Sequence, residues 1–174
     1  MFSISLEANG GKEKNFSYAW LHAAFLCLVL ALLSGCGKQT YSGPQPFVGH
    51  AGDGNAIVQA AKNQIGRPYV LGGDSPRKGF DCSGLVFWAY KINGLSIPRV
   101  STAQAQAGRR IGKEELRPGD IVVFKTTRWG YHTGIYAGGR SFIHSPRSGY
   151  KVRQESMDLG YWKNHWVMGR RIRR

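Results

Sequence analysis

The chain has 174 residues, with 24 Lys or Arg against 10 Asp or Glu and a net charge of +14. That length suits one domain with an extension, and the charge bears on partners (anionic polymers or a lipid surface) rather than on fold. No zinc-type spacing, phosphate-binding glycine loop or nucleic-acid motif accompanies it, so the reading turns away from nucleic acid and from metal.

Residues 1–35 read as an export signal, with Lys12 and Lys14 ahead of an apolar run from Tyr18 to Leu33 and small residues before Cys36. The run is about 16 residues and contains His22, short of the roughly 20 apolar residues of a spanning helix. Lys12 and Lys14 are balanced by Glu7 and Glu13, so the remainder keeps the whole charge of +14. Leu33-Ser34-Gly35-Cys36 resembles the lipobox of bacterial lipoproteins. The resemblance implies an exported chain held to a membrane by lipid on Cys36; Gly37, where an aspartate would signal retention, implies the outer membrane, facing the periplasm. Residues 36–52 are the lipidated N-terminus and a Gly-, Ser- and Pro-rich tether, which at about 18 flexible residues reaches roughly 20–25 Å. The folded domain is expected over 53–174.

Within it, Ile57, Ala61 and Ile65 share one face of a short helix from Asp53 to Ile65, stopped by Gly66-Arg67-Pro68. Residues 69–73 are a brief extended piece before a loop from Asp74 to Gly79. Leu85, Trp88, Ala89 and Ile92 recur at helical spacing, and Asn93-Gly94 ends that run. A short helix is expected from Ser101 to Ala107. Arg117-Pro118-Gly119-Asp120 is turn chemistry leading into Ile121-Val122-Val123-Phe124, an apolar run suited to a buried strand. Further strands are expected over 131–137, 140–145, 150–154 and 166–172, the last with a basic, solvated tip. Helices first and strands after argue for an α+β fold with a mostly antiparallel sheet.

Cys82 carries the chemical interest. Cys27 falls in the signal and Cys36 would carry lipid, leaving Cys82 as the one thiol of an exported domain, where cysteines usually pair. It opens a helix with Asp81 at the N-cap, so it meets unpaired backbone N–H groups and the positive end of the helix dipole. Lowering a thiol pKa by about three units takes roughly 4 kcal/mol, whereas a helix end supplies about 0.3 to 2. A cation is therefore expected to do most of that work, and Asp81 opposes it unless its carboxylate is spent on capping. His132 and His144 are the candidate base and orienting residue, since a thiol nucleophile needs a base and that base needs a partner. A hairpin loop of Ala137-Gly138-Gly139 would set residue 132 opposite 144 on one face, whereas a Gly138-Gly139 loop would turn His144 away. Two readings compete: Cys82 as a small buried residue at a helix start, and a Cys-His-His zinc site.

Gly66-Arg67-Pro68-Tyr69-Val70-Leu71-Gly72-Gly73, Phe80-Asp81-Cys82-Ser83-Gly84-Leu85-Val86, Pro98-Arg99-Val100-Ser101, Leu116-Arg117-Pro118-Gly119-Asp120 and His132-Thr133-Gly134-Ile135-Tyr136 together resemble the NlpC family of papain-like cell-wall cysteine peptidases. Phe142-Ile143-His144 and Tyr161-Trp162-Lys163 resemble its lipoprotein members, the murein endopeptidases. The resemblance implies a papain-like α+β fold with the cysteine helix packed on the sheet. It makes Cys82 nucleophile, His132 base and His144 orienting residue, puts Tyr69 beside the cysteine, and gives Asp81 and Ser83 a part in holding the peptide's amino end. Peptidoglycan is then the partner, cut in stem peptides or cross-links next to diaminopimelate, with no cofactor or metal required. From the residues alone, Tyr69 is equally a packing residue, Asp81 and Ser83 are equally caps, and Arg99 either braces a loop or faces substrate. A wall-binding lipoprotein without catalysis, or a thiol acyltransferase, are the other uses of such a scaffold.

Overall fold

The computed structural model describes residues 53–172 except Trp129, all within the compact unit Pro46–Arg174. The expected signal, Cys36 and the tether lie outside the described residues. Helix α1 (Gly54–Lys62) starts at Asp53, whose side chain accepts from the Asn55 N–H at 2.9 Å. A two-stranded hairpin, β1 (Asp74–Ser75) and β2 (Gly79–Phe80), leads into α2 (Cys82–Ile92) and then the short α3 (Ser101–Gln104). Six strands follow with the antiparallel order β3-β8-β4-β5-β6-β7. They are β3 (Arg109–Ile111), β4 (Ile121–Lys125), β5 (Tyr131–Gly138), β6 (Ser141–His144), β7 (Arg153–Ser156) and β8 (Trp166–Arg171). Helix α4 (Gly160–His165) runs directly into β8, which inserts between β3 and β4.

The apolar run of β4 is explained by two covered faces. Ile121 and Val123 join Ile57, Leu85, Ala89, Tyr90 and Ile135 in the core beneath α1 and α2. Val122 and Phe124 join Phe142, Met157 and Trp162 on the opposite face. Each such fully buried side chain contributes about 1.5–3 kcal/mol of hydrophobic stabilisation.

Two helical expectations shift by part of a turn. Helix α1 ends at Lys62, so Ile65 falls past its cap and is 49% exposed. In α2 the buried face is Leu85, Val86, Ala89 and Tyr90, while Ile92 in the last turn is 48% exposed. Strand β3 and helix α4 were not legible. The tip of β8 is not merely solvated: Arg171 Nε and Nη2 donate to the two carboxylate oxygens of fully buried Asp120 at 3.0 and 2.7 Å.

The hairpin register also differs from expectation. The loop is Gly139-Arg140, closed by the pair Gly138↔Ser141, and both loop residues have positive φ (55° and 57°). That is the backbone of a type I′ turn, whose twist matches paired strands. Arg140 bears this conformation while its guanidinium pairs with Asp158 at 2.6 and 2.8 Å. Taken alone this loop would put His132 and His144 on opposite faces. An irregularity between Tyr136 and Gly138 absorbs one residue, after which Ile135 pairs with Ile143 and Tyr136 with Phe142. Parity is restored. Continuing that register, Gly134 rather than His132 faces His144, and His132 lies diagonal to it on the same face.

Candidate active site

Asp81 builds the start of α2. Its Oδ1 accepts from the Gly84 N–H at 2.7 Å and its Oδ2 from the Gly72 N–H at 2.8 Å. Arg99 closes on both oxygens at 2.9 and 2.8 Å, and its Nη2 also donates to the Gly73 carbonyl at 3.0 Å. Ser83 Oγ donates to Asp81 at 3.3 Å and accepts from Arg99 at 3.1 Å. Burial pushes the Asp81 carboxyl up, but the hydrogen bonds from Arg99 and the two backbone amides outweigh it and hold it below the usual range. Arg99 is thus a brace. With about four lone-pair sites on a carboxylate, Asp81 is saturated in this state, and a direct grip on a peptide ammonium requires one donor to leave.

The close fit explains Gly84. A Cβ there would lie 2.0 Å from the Gly73 carbonyl oxygen and 2.9 Å from Arg99 Nη2. The loop carbonyl rests directly on the first helical turn.

Cys82 is half-buried and unpaired. Burial pushes its thiol up, only partly offset by the backbone N–H groups of Thr133, Ser83 and Cys82 itself, with Asp81 adding to the rise. The Thr133 amide brings the sulfur to the backbone of β5 one residue from His132. Tyr69 is half-buried, and burial together with the charges of Cys82 and Asp81 raises its phenol. It stands beside the cysteine rather than in either core.

His132 and His144 meet, with Nε2 of the first 2.8 Å from Nδ1 of the second. Gly134 makes room for them, since a Cβ there would lie 2.7 Å from Phe142 Cδ2 and 3.2 Å from His144 Cβ. Trp162 covers both imidazoles at 5.1 and 5.0 Å between ring centroids. Burial, and then the neighbouring His144, depress His132 to about 3, against a small opposing pull from Glu155. His144 is also lowered by burial, although Glu155 pulls it back. Both shifts favour the neutral form, a thiol on Cys82 and an imidazole on His132. These directions run against the expectation of an imidazolium-stabilised thiolate, because burial disfavours the charged form of each group.

Glu155, Arg153 and Gln104 were not singled out from sequence, and Trp162 was noted only within Tyr161-Trp162-Lys163. Glu155 Oε2 lies 3.0 Å from His144 Nε2, and the indole of Trp162 donates to the same oxygen at 2.6 Å. Arg153 pairs with the other oxygen at 2.5 Å. Gln104, fully buried, donates to the Ser83 carbonyl at 3.0 Å and accepts from Thr133 Oγ1 at 2.8 Å. Alternation along 153–156 was the one available signal for Arg153 and Glu155, and without the register it could not be aimed. The zinc arrangement does not fit, because both ring nitrogens of His144 are engaged by His132 and Glu155. A cavity of about 590 Å³ opens beside His132, with Arg147, Arg153, Glu155 and Trp162 in its wall.

A family model described as NlpC/P60 matches residues 66–171. Murein DD-endopeptidase MepH of Escherichia coli (strain K12) is 44% identical over 114 residues, covering 63% of this chain and 42% of that protein. Bifunctional muramidase/DL-endopeptidase CwlT of Bacillus subtilis (strain 168) is 37% identical over 120 residues, 67% of this chain and 36% of that protein. The chain thus spans less than half the length of these relatives. Among solved structures, the NlpC/p60 domain of peptidoglycan hydrolase SagA matches with a TM-score of 0.61 at 32% identity, covering 69% of this chain and 99% of that one.

Proposed function

The chain belongs to the NlpC/P60 family and has its papain-like α+β fold, and from that premise we propose that it is a cysteine endopeptidase cutting peptidoglycan peptides next to diaminopimelate. The observation that carries the reading is the approach of Cys82, at the start of α2, to the Thr133 backbone N–H on β5, next to the paired imidazoles of His132 and His144. His132 takes the thiol proton as Cys82 sulfur bonds to the scissile carbonyl carbon, so the ion pair arises during attack rather than at rest. The protonated imidazole then gives that proton to the leaving amine as the C–N bond breaks. Water hydrolyses the acyl-enzyme and returns the thiol. The N–H groups of Cys82 and Ser83 at the helix start are the donors for the oxyanion.

In this reading the cavity beside His132 receives the residue that carries the leaving amine. Arg147 in its wall suits a residue with a free carboxylate, which is the chemistry of diaminopimelate as an amine leaving group. The names of the two relatives cover both DD- and DL-cleavage, so the bond is the point to test. Mass spectrometry of defined murein fragments incubated with the full chain and with Cys82→Ala reads it directly. Products that depend on Cys82 and expose a new diaminopimelate amine support the proposal; intact fragments, with binding alone, would replace it with a wall-binding role.

Lipid attachment at Cys36 and an outer-membrane location belong to the same proposal, supported by Leu33-Ser34-Gly35-Cys36 and the charge of +14. Cys36→Ala is expected to leave the membrane fraction in high salt. Retention there would mean that something else anchors the chain, because salt screens surface charge.

A further inference from the structure

We propose that Glu155 is the fourth member of the proton relay, a positioning residue that fixes the tautomers of both imidazoles and supports the charge that forms on His132. It sits on β7 opposite Phe142, on the face shared by Phe142 and His144, so the strand pairing delivers its carboxylate to the far side of His144. Its pKa is held down, chiefly by the hydrogen bond with His144 against the opposing effect of burial, and further by Trp162 and Arg153. An ionised carboxylate accepts and cannot donate.

The proton positions then follow in order. The contact of 3.0 Å between Glu155 Oε2 and His144 Nε2 requires the proton on Nε2. A neutral His144 is left with a bare Nδ1, which must accept across the 2.8 Å contact with His132 Nε2. His132 therefore carries its proton on Nε2, and its Nδ1 holds the free lone pair for the Cys82 proton. Reversing any one of these bonds would protonate Nδ1 and disable the base. Trp162 and Arg153 keep the carboxylate in place at 2.6 and 2.5 Å. When His132 becomes cationic, the anion at the end of the chain stabilises it through His144.

The inference rests on the cysteine-peptidase reading, and its test includes two readouts that need no substrate. The nitrogen shifts of the imidazoles in the full-length protein should show His144 and His132 both protonated at Nε2. Glu155→Gln, which keeps the shape and removes the charge, should lower kcat by roughly tenfold or more with KM nearly unchanged. It should also slow alkylation of Cys82 by a small neutral reagent at neutral pH. Glu155→Asp, which restores the charge, should recover a measurable part of both rates. A wild-type His144 protonated on Nδ1, an undiminished Glu155→Gln enzyme, or an Asp variant no better than the Gln variant would each overturn the proposal. If Glu155→Gln does not fold, the wild-type tautomers decide alone. Failure of the wild-type protein on murein with these tautomers intact would count against the substrate and not against the relay.

Discussion

Gln104 joins Ser83, the residue after Cys82, to Thr133, the residue after His132: its amide nitrogen donates to the Ser83 carbonyl at 3.0 Å, and its amide oxygen accepts from Thr133 Oγ1 at 2.8 Å. The same nitrogen donates to the Pro98 carbonyl at 2.9 Å, so one fully buried side chain ties α2, α3 and β5 together. The spacing between Cys82 and His132 is thereby held through their neighbours Ser83 and Thr133. Gln104→Met keeps much of the volume and removes all three bonds. Each buried polar partner left unpaired costs about 1–3 kcal/mol. A lower unfolding midpoint is expected, with kcat falling more than KM rises. Unchanged kcat in a destabilised variant would confine Gln104 to the core.

The helix that opens at Cys82, its capping Asp81 and the strand over 121–124 were legible because each rests on local chemistry (a helical period, a cap, an apolar run), whereas the assignment of His132 and His144 rested on the family resemblance. What escaped depends on distance in the chain. Ile65 and Ile92 lie in phase with their helical faces but at or beyond the helix ends, where no core remains to receive them. Gly138 and Gly139 drew attention to the hairpin, yet the turn is made with Arg140, whose side chain is held by the remote Asp158. Arg171 sits in a run of basic residues at the end of the chain and could be distinguished only by Asp120, fifty-one residues earlier, which it neutralises. Glu155 is one acid on a short strand until the bulge near Ala137 sets the register beside His144. Non-local pairing selected these residues, and local pattern does not encode it.

Gly84→Ala should be strongly destabilising although it lies in a helix, where alanine is ordinarily favoured by about 1 kcal/mol. The new Cβ would stand 2.0 Å from the Gly73 carbonyl, which Arg99 and the Asp81 N–H hold in position. Overpacking of this kind costs about 1–3 kcal/mol, and the displaced loop carries Tyr69 and the Asp81 cap with it. Denaturant unfolding of the variant checks the sign. Equal or greater stability would mean that the loop and helix are not pressed together as described.

The shifts at His132 and Cys82 make two linked expectations about pH. His132 is depressed to about 3 by burial and by His144, while in the unfolded chain it returns to an ordinary value of about 6.5. Between those limits the unfolded state binds more protons, so stability is full above about pH 6.5 and is lost as pH falls toward 3. The slope approaches about 1.4 kcal/mol per pH unit for each such histidine, and His144, also lowered, adds in the same direction. Denaturant midpoints should therefore drop between pH 7 and pH 4.5, and drop less in His132→Gln. At the thiol the sign is reversed in reactivity: Cys82 is raised above its ordinary 9.0, chiefly by burial, so alkylation should climb only in the alkaline range. An alkylation midpoint at or below neutrality, lost in His132→Ala, would show that the resting enzyme holds a thiolate–imidazolium pair after all. In that case the attraction between the two groups would have exceeded the cost of taking both out of water.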